Sequence, residues 1–135
     1  MLVASLGTPY EVATEGAILF LEDVNVKPFQ IDRMLMQLKL SGKLDGVRGV
    51  IFGEMFNCAS GGQQVHAMHE SIRRILREFQ IPVAFGVHSG HVSSRNITLP
   101  LGVNVRLNVG DEVSVNVLES ACVTRGEVAA AAKRK

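Results

Sequence analysis

Gly16-Ala17-Ile18-Leu19-Phe20-Leu21-Glu22-Asp23-Val24, followed a few residues later by Ile31-Asp32-Arg33-Met34-Leu35-Met36-Gln37-Leu38, decides the fold of this chain of 135 residues. Residues 17–21 form an unbroken apolar run between Gly16 and the acidic pair Glu22-Asp23, the pattern of a strand buried on both faces of a sheet. Pro28 then opens a helix, in which Ile31, Leu35 and Leu38 recur at helical spacing with Met34 beside them. Gly42 stands where a left-handed cap would end it. A second apolar run, residues 47–52, predicts a second buried strand. Residues 63–79 predict a helix with Ile72, Ile75, Leu76 and Phe79 on one side, and residues 82–87 a third strand. Strand, helix, strand, helix, strand is the order of an α/β fold with a mainly parallel sheet flanked by helices.

Past the third strand the rhythm changes. Residues 96–99, 103–107 and 112–117 are short stretches of partial period-two alternation, separated by Gly102 and by residues 108–111. They predict an antiparallel meander, a smaller antiparallel layer beside the parallel sheet. The tail from Gly126, with four alanines before Lys133-Arg134-Lys135, is expected to fray. With no internal repeat, no heptad series and no linker rich in Gly, Ser or Pro, residues 1–135 are expected to make one domain.

Basic and acidic residues number 14 and 13, for a net charge of +1, and they are scattered. That balance leaves no electrostatic footprint for a nucleic-acid partner or an anionic membrane. No apolar run approaches the roughly 18 residues that span a bilayer, and the first ten residues lack the features of a secretory signal, so a cytoplasmic location is expected. Cys58 and Cys122 form no C-x-x-C pair, which suits a reducing compartment and argues against a thiolate metal site. Each is expected to be an inert, buried thiol.

Glu22 and His91 are the candidate reactive pair. The carboxyl ends of parallel strands gather on one rim, where ligand sites form because the connecting loops are free to differ. Glu22 closes the first strand, and His91 lies in the loop after the third, within Phe85-Gly86-Val87-His88-Ser89-Gly90-His91. If they meet, the carboxylate accepts a hydrogen bond from one ring nitrogen and stabilises the imidazolium, so the other nitrogen can take a proton from a hydroxyl. Gly86 and Gly90 allow the sharp turns this requires. A glutamate at a strand end is also commonly a solvated terminus, and geometry argued from sequence leaves both readings open.

Other candidates carry a blander reading. Ser60, in Ala59-Ser60-Gly61-Gly62, precedes a helix and reads as its cap rather than a nucleophile. The same turn could hold an anion on free amides, but it lacks the lysine and spacing of a P-loop. His66, His69 and Glu70 share a helix in the order H-x-x-H-E, which matches neither H-E-x-x-H nor H-x-x-E-H and reads as a surface cluster. Ser89 is too close along the loop to His91 for an evident attack geometry. His88 reads as a loop residue lining the cleft.

The quoted opening stretch resembles the segment of the LD-carboxypeptidase (muramoyltetrapeptide carboxypeptidase) family that carries the catalytic glutamate. Residues 40–53 resemble that family's helix exit and following strand. Residues 85–91 resemble its histidine loop, trailed by Thr98-Leu99-Pro100-Leu101-Gly102. The resemblance runs from Leu6-Gly7-Thr8-Pro9-Tyr10 to about Leu118, with the blocks in the right order. It implies the swivelling β/β/α fold of the family's carboxy-terminal domain, with Glu22 as the acid and His91 as the base of a Ser-Glu-His triad. Asp23, Asp32 and Arg33 also match family positions, where a structural role such as a cap or an ion pair tying helix to strand is expected.

In that family the serine sits on an elbow in an amino-terminal domain, and no G-x-S-x-G occurs here. The resemblance therefore implies a carboxy-terminal half with the nucleophile domain absent, inert by itself. Joined to that domain, it would hydrolyse the bond between the L-centre of a diamino acid and a terminal D-alanine in murein tetrapeptides, in cell-wall recycling. No cofactor or metal is implied, and a homodimer is expected of the complete protein. Two alternatives stand beside this reading: a non-catalytic module for ligand binding or dimerisation, and a relative of the microcin-immunity carboxypeptidases, which use a similar triad on a peptide-nucleotide carboxamide.

Overall fold

The computed structural model describes residues 1–122, and the tail expected to fray lies outside the described residues. The chain divides into two compact units, Met1–Ile97 and Thr98–Lys135.

In the first unit β1 (Ile18–Leu21), α1 (Pro28–Leu40), β2 (Gly49–Gly53), α2 (Gly61–Leu76) and β3 (Val83–Val87) alternate, with short 3₁₀ turns at Val3–Ser5 and Arg77–Phe79. The sheet is parallel in the order β1-β2-β3. β2 pairs on both edges and every one of its residues is buried, as the apolar run predicts. β1 differs: as an edge strand it buries only Leu19, and its other residues are partly exposed. An apolar run marks a strand for the interior; its place in the sheet decides how many faces are covered.

The pleat puts Leu19, Val50 and Phe52 on one side, since Leu19 pairs with Val50 and Leu21 with Phe52. Those residues join Ile31, Leu35 and Leu38 of α1 and Met68, Ile72, Ile75 and Leu76 of α2 in one buried cluster. Burying each such side chain contributes about 1.5–3 kcal/mol, which makes this cluster the main stabilising feature of the unit. At the surface the ion pair Asp32–Arg74 links α1 to α2, and Lys39–Glu78 links α1 to the 3₁₀ turn that follows α2. The Asp32 pair thus ties helix to helix, not helix to strand, because the facing element across α1 at that position is α2.

The ends of α1 follow the sequence. Pro28 is its first residue, and the side chain of Gln30 accepts the N–H of Lys27. At the other end Gly42 N–H donates to Lys39 C=O and Lys43 N–H to Leu38 C=O, the paired bonds of a glycine-terminated helix. α2 starts two residues earlier than predicted and gives way to a 3₁₀ turn after Leu76. Ser60 holds the cap position, but its side chain makes no capping bond. The Gln64 side chain reaches back to accept the Ser60 N–H at 3.0 Å, so the bond made at this end comes from within the helix and not from the serine hydroxyl.

The second unit contains an antiparallel pair, β4 (Val105–Val109) and β5 (Val113–Val117), in register from Val105 opposite Val117 to Val109 opposite Val113. Residues 96–99 form no strand, so the expected meander of three is a hairpin of two. The physical reason lies in Asn96 and Ile97, whose hydrogen bonds go back to the loop after β3 rather than to a ladder. Among the described residues no helix is long and apolar enough to cross a membrane.

Candidate active site

Glu22, Glu54 and His88 each stand one residue past the end of β1, β2 and β3, so the parallel sheet delivers three polar side chains to one rim. The loops after β1 and β2 are knitted together there. Asn25 N–H donates to Phe56 C=O, and the Asn57 amide donates to the Asn25 side chain. Asn25, Met55 and Asn57 all have positive φ, a concentration of left-handed backbone that marks a constrained rim.

Glu22 and His91 meet although 69 positions separate them. Glu22 Oε1 accepts the backbone N–H of His91 at 2.9 Å and lies 2.9 Å from its Nδ1. A proton on Nδ1 satisfies the carboxylate and leaves Nε2 as the acceptor, the tautomer a general base needs. The carboxylate side chain is 15% exposed and the imidazole 62%, so a sheltered anion holds a ring open to a reactant.

Two glycines make room for this carboxylate. A Cβ on Gly90 would lie 2.6 Å from Glu22 Cδ, and one on Gly53 would lie 2.9 Å from Glu22 Cγ. Gly90 also has φ +94°, so both the turn and the close approach require glycine.

Glu54 is the rim residue that sequence reasoning missed. Its Oε2 accepts the Ser93 N–H at 2.6 Å and its Oε1 the Ser93 hydroxyl at 2.8 Å. Those bonds, the backbone one first, hold its carboxyl below the ordinary carboxylate range, with a smaller contribution from His88, whose Nε2 lies 3.6 Å away. The signal was available: Gly53-Glu54 follows the apolar run of β2 as Glu22 follows that of β1.

His88 lines the rim but stays apart from the Glu22 pair; its Nδ1 is 3.1 Å from the Ser94 hydroxyl. Beside Gly53 and Glu54 opens a cleft of about 410 Å³, walled by Phe56, Met68, His69 and Phe85. His69 packs on the Phe85 ring at 4.6 Å and Glu70 pairs with Arg73, so the histidines of α2 do not assemble with it. Among the described residues no group of three or more metal-ligating side chains occurs. Cys58 is buried, and burial pushes its thiol up from the ordinary value. Cys122 is exposed, contrary to the buried place expected of it: it follows the β4–β5 hairpin and, among the described residues, is not part of the apolar cluster.

The family model for the LD-carboxypeptidase C-terminal domain matches residues 1–107. A probable murein peptide carboxypeptidase of Bacillus subtilis is 34% identical over 119 residues, 85% of this chain and 36% of that protein. A putative carboxypeptidase of Rickettsia conorii is 41% identical over 91 residues, 67% of this chain and 27% of the relative. The chain thus spans about a third of the length of the curated relatives it matches. Among solved structures, muramoyltetrapeptide carboxypeptidase from Oxalobacter formigenes superposes with a TM-score of 0.75 at 30% identity, over 87% of this chain and 41% of that one. The microcin C7 self-immunity protein in complex with aspartyl sulfamoyl adenosine gives a TM-score of 0.75 at 28% identity, over 90% of this chain and 36% of that one.

Proposed function

The chain belongs to the LD-carboxypeptidase family, as its carboxy-terminal domain, and from that premise we propose that it supplies the Glu and His of a Ser-Glu-His triad. The observation that carries the reading is the 2.9 Å contact between Glu22 Oε1 and His91 Nδ1 on the rim of a parallel sheet. The serine and its oxyanion donors belong to an amino-terminal domain that docks over this rim.

In the assembled enzyme Nε2 of His91 takes the proton of the serine hydroxyl as its oxygen attacks the carbonyl carbon of the scissile amide. Glu22 stabilises the imidazolium that results. Collapse of the tetrahedral intermediate breaks the carbon–nitrogen bond, and His91 gives its proton to the departing amine. Water, deprotonated by the same ring, then cleaves the acyl-serine. The substrate on this reading is a murein tetrapeptide, cut between the L-centre of a diamino acid and a terminal D-alanine. The names of the Bacillus subtilis and Oxalobacter formigenes relatives support that choice. A cytoplasmic location and a homodimer accompany it, the former supported by two unpaired cysteines.

The test joins this chain to an amino-terminal domain bearing a serine elbow and measures release of D-alanine from a tetrapeptide. Release that is abolished by His91→Ala and sharply reduced by Glu22→Gln is expected, together with no release by the chain alone. Release by the chain alone at an enzyme-like rate would overturn the division of the triad between domains.

The equal structural likeness to the microcin C7 self-immunity protein supports a second reading, a carboxypeptidase acting on an acyl-sulfamoyl nucleotide. The same joined protein decides between them: cleavage of the nucleotide conjugate with no release from the tetrapeptide favours the second. Binding of either ligand without cleavage would favour a non-catalytic module.

A further inference from the structure

His91 is an exposed side chain, so core packing does not fix it. Its place depends on the backbone of its loop, and the residue before it is a glycine. Gly90 must be glycine to lie against Glu22, and glycine is the residue that least restricts the orientation of its own peptide groups. Something else must choose that orientation.

The Gly90–His91 peptide is held from both ends. Its N–H, that of His91, donates to Glu22 Oε1 at 2.9 Å, and its C=O, that of Gly90, accepts from Asn96 Nδ2 at 2.9 Å. The preceding peptide is held as well, since Gly90 N–H donates to Asn96 Oδ1 at 3.2 Å. One side-chain amide therefore engages both polar groups of the residue that aims the imidazole, and a flip of the Gly90–His91 peptide would break two bonds together. Two residues beyond His91, Glu54 grips Ser93 through its N–H and hydroxyl. Ile97 N–H closes the base of the loop on His88 C=O at 2.8 Å.

We propose that Asn96 and Glu54 are positioning residues for His91, Asn96 by selecting the orientation of the Gly90–His91 peptide and Glu54 by pinning the loop beyond it to the end of β2. The assignment rests on the reading of His91 as the base. Neither residue touches the reacting atoms; each acts through the loop.

Amide hydrogen exchange on this chain tests the clamp without any turnover. Asn96→Ala is expected to cost the His91 amide about tenfold in protection, as loss of ordinary hydrogen bonds does, with Val50 and other core amides unchanged. Asn96→Asp keeps the acceptor for Gly90 N–H but sets a carboxylate oxygen against the Gly90 carbonyl, and should lose protection equally. Glu54→Ala should loosen His91 and Ser93 together. Glu54→Gln, which can still accept the N–H and engage the hydroxyl, should restore most of the protection. In the joined enzyme the alanine variants are expected to lower kcat by about tenfold to a hundredfold with KM little changed, the signature of misplaced chemistry.

Unchanged exchange at His91 in both alanine variants, with the core intact, overturns the proposal. Should Asn96→Ala fail to fold, Asn96→Asp and the Glu54 pair carry the same test. If the joined wild-type protein releases no D-alanine, the functional reading fails while the exchange result still decides the clamp.

Discussion

Substituting Gly90 by alanine isolates what the Glu22–His91 contact demands of the backbone. The new methyl would stand 2.6 Å from Glu22 Cδ and 2.7 Å from Oε2, so the carboxyl group must retreat by about 1 Å to reach ordinary contact. Alanine at φ +94° adds about 1–3 kcal/mol of backbone strain. The loop can relieve both by leaving Glu22, which spares the fold and sacrifices the dyad. Misplacement by about 1 Å can cost on the order of a hundredfold in rate, so Gly90→Ala in the joined enzyme should lower kcat by about that factor. In this chain the His91 amide should lose protection.

Gly86→Ala is the matched control. Gly86 has φ +87° and, among the described residues, nothing within 4 Å of an added Cβ, so it carries the strain without the collision. It should lower thermal stability by about 1–3 kcal/mol and leave His91 protected. Gly53→Ala, whose Cβ would meet Glu22 Cγ at 2.9 Å, should fall between the two in its effect on His91. Native protection of His91 in Gly90→Ala, or a greater loss of it in Gly86→Ala, would contradict the collision with Glu22.

Further outcomes follow from burial and charge. Ile72 is fully buried in the cluster shared by α1, α2 and the sheet, and Ile72→Ala should cost about 2–5 kcal/mol in urea unfolding of the chain; a loss under about 1 kcal/mol would remove it from the core. Because the Glu54 carboxyl is depressed from an ordinary 4.5 by Ser93, with His88 the nearest charge-bearing neighbour, its grip on Ser93 is fully present above that value and is lost as pH falls through the lower folded value. Ser93 amide shifts followed from pH 7 to pH 2 should report that midpoint, and Glu54→Gln should abolish it. Cys122 is exposed and Cys58 buried with its thiol pushed up, so a thiol reagent should label Cys122 promptly and Cys58 only on unfolding; equal rates would contradict the placement.

The alternation of strands and helices was legible because each element buries a run or a stripe, and burial leaves a period in the sequence. The β2 run of residues 49–53 and the helix stop at Gly42 were readable for that reason. Parallel strands bring their carboxyl ends to one edge, which made the meeting of Glu22 with His91 one of two open readings beside a solvated strand end. Residues 96–99 misled, because alternation of side chains does not say where backbone hydrogen bonds go, and Asn96 sends its side chain to Gly90. Glu54 was overlooked although it repeats the strand-end position of Glu22.

The pattern of apolar residues carried the order of elements and the parallel sheet, which follow from local burial; for Glu22 and His91 it offered a shared rim without excluding a solvated strand end. Three-dimensional packing was needed to show that the two groups lie 2.9 Å apart, that Gly53 and Gly90 make the space for Glu22, and that Asn96 and Glu54 bond to the loop. Those contacts join residues distant in the chain through directional bonds and excluded volume, and such terms depend on three-dimensional distance and leave no period along the sequence.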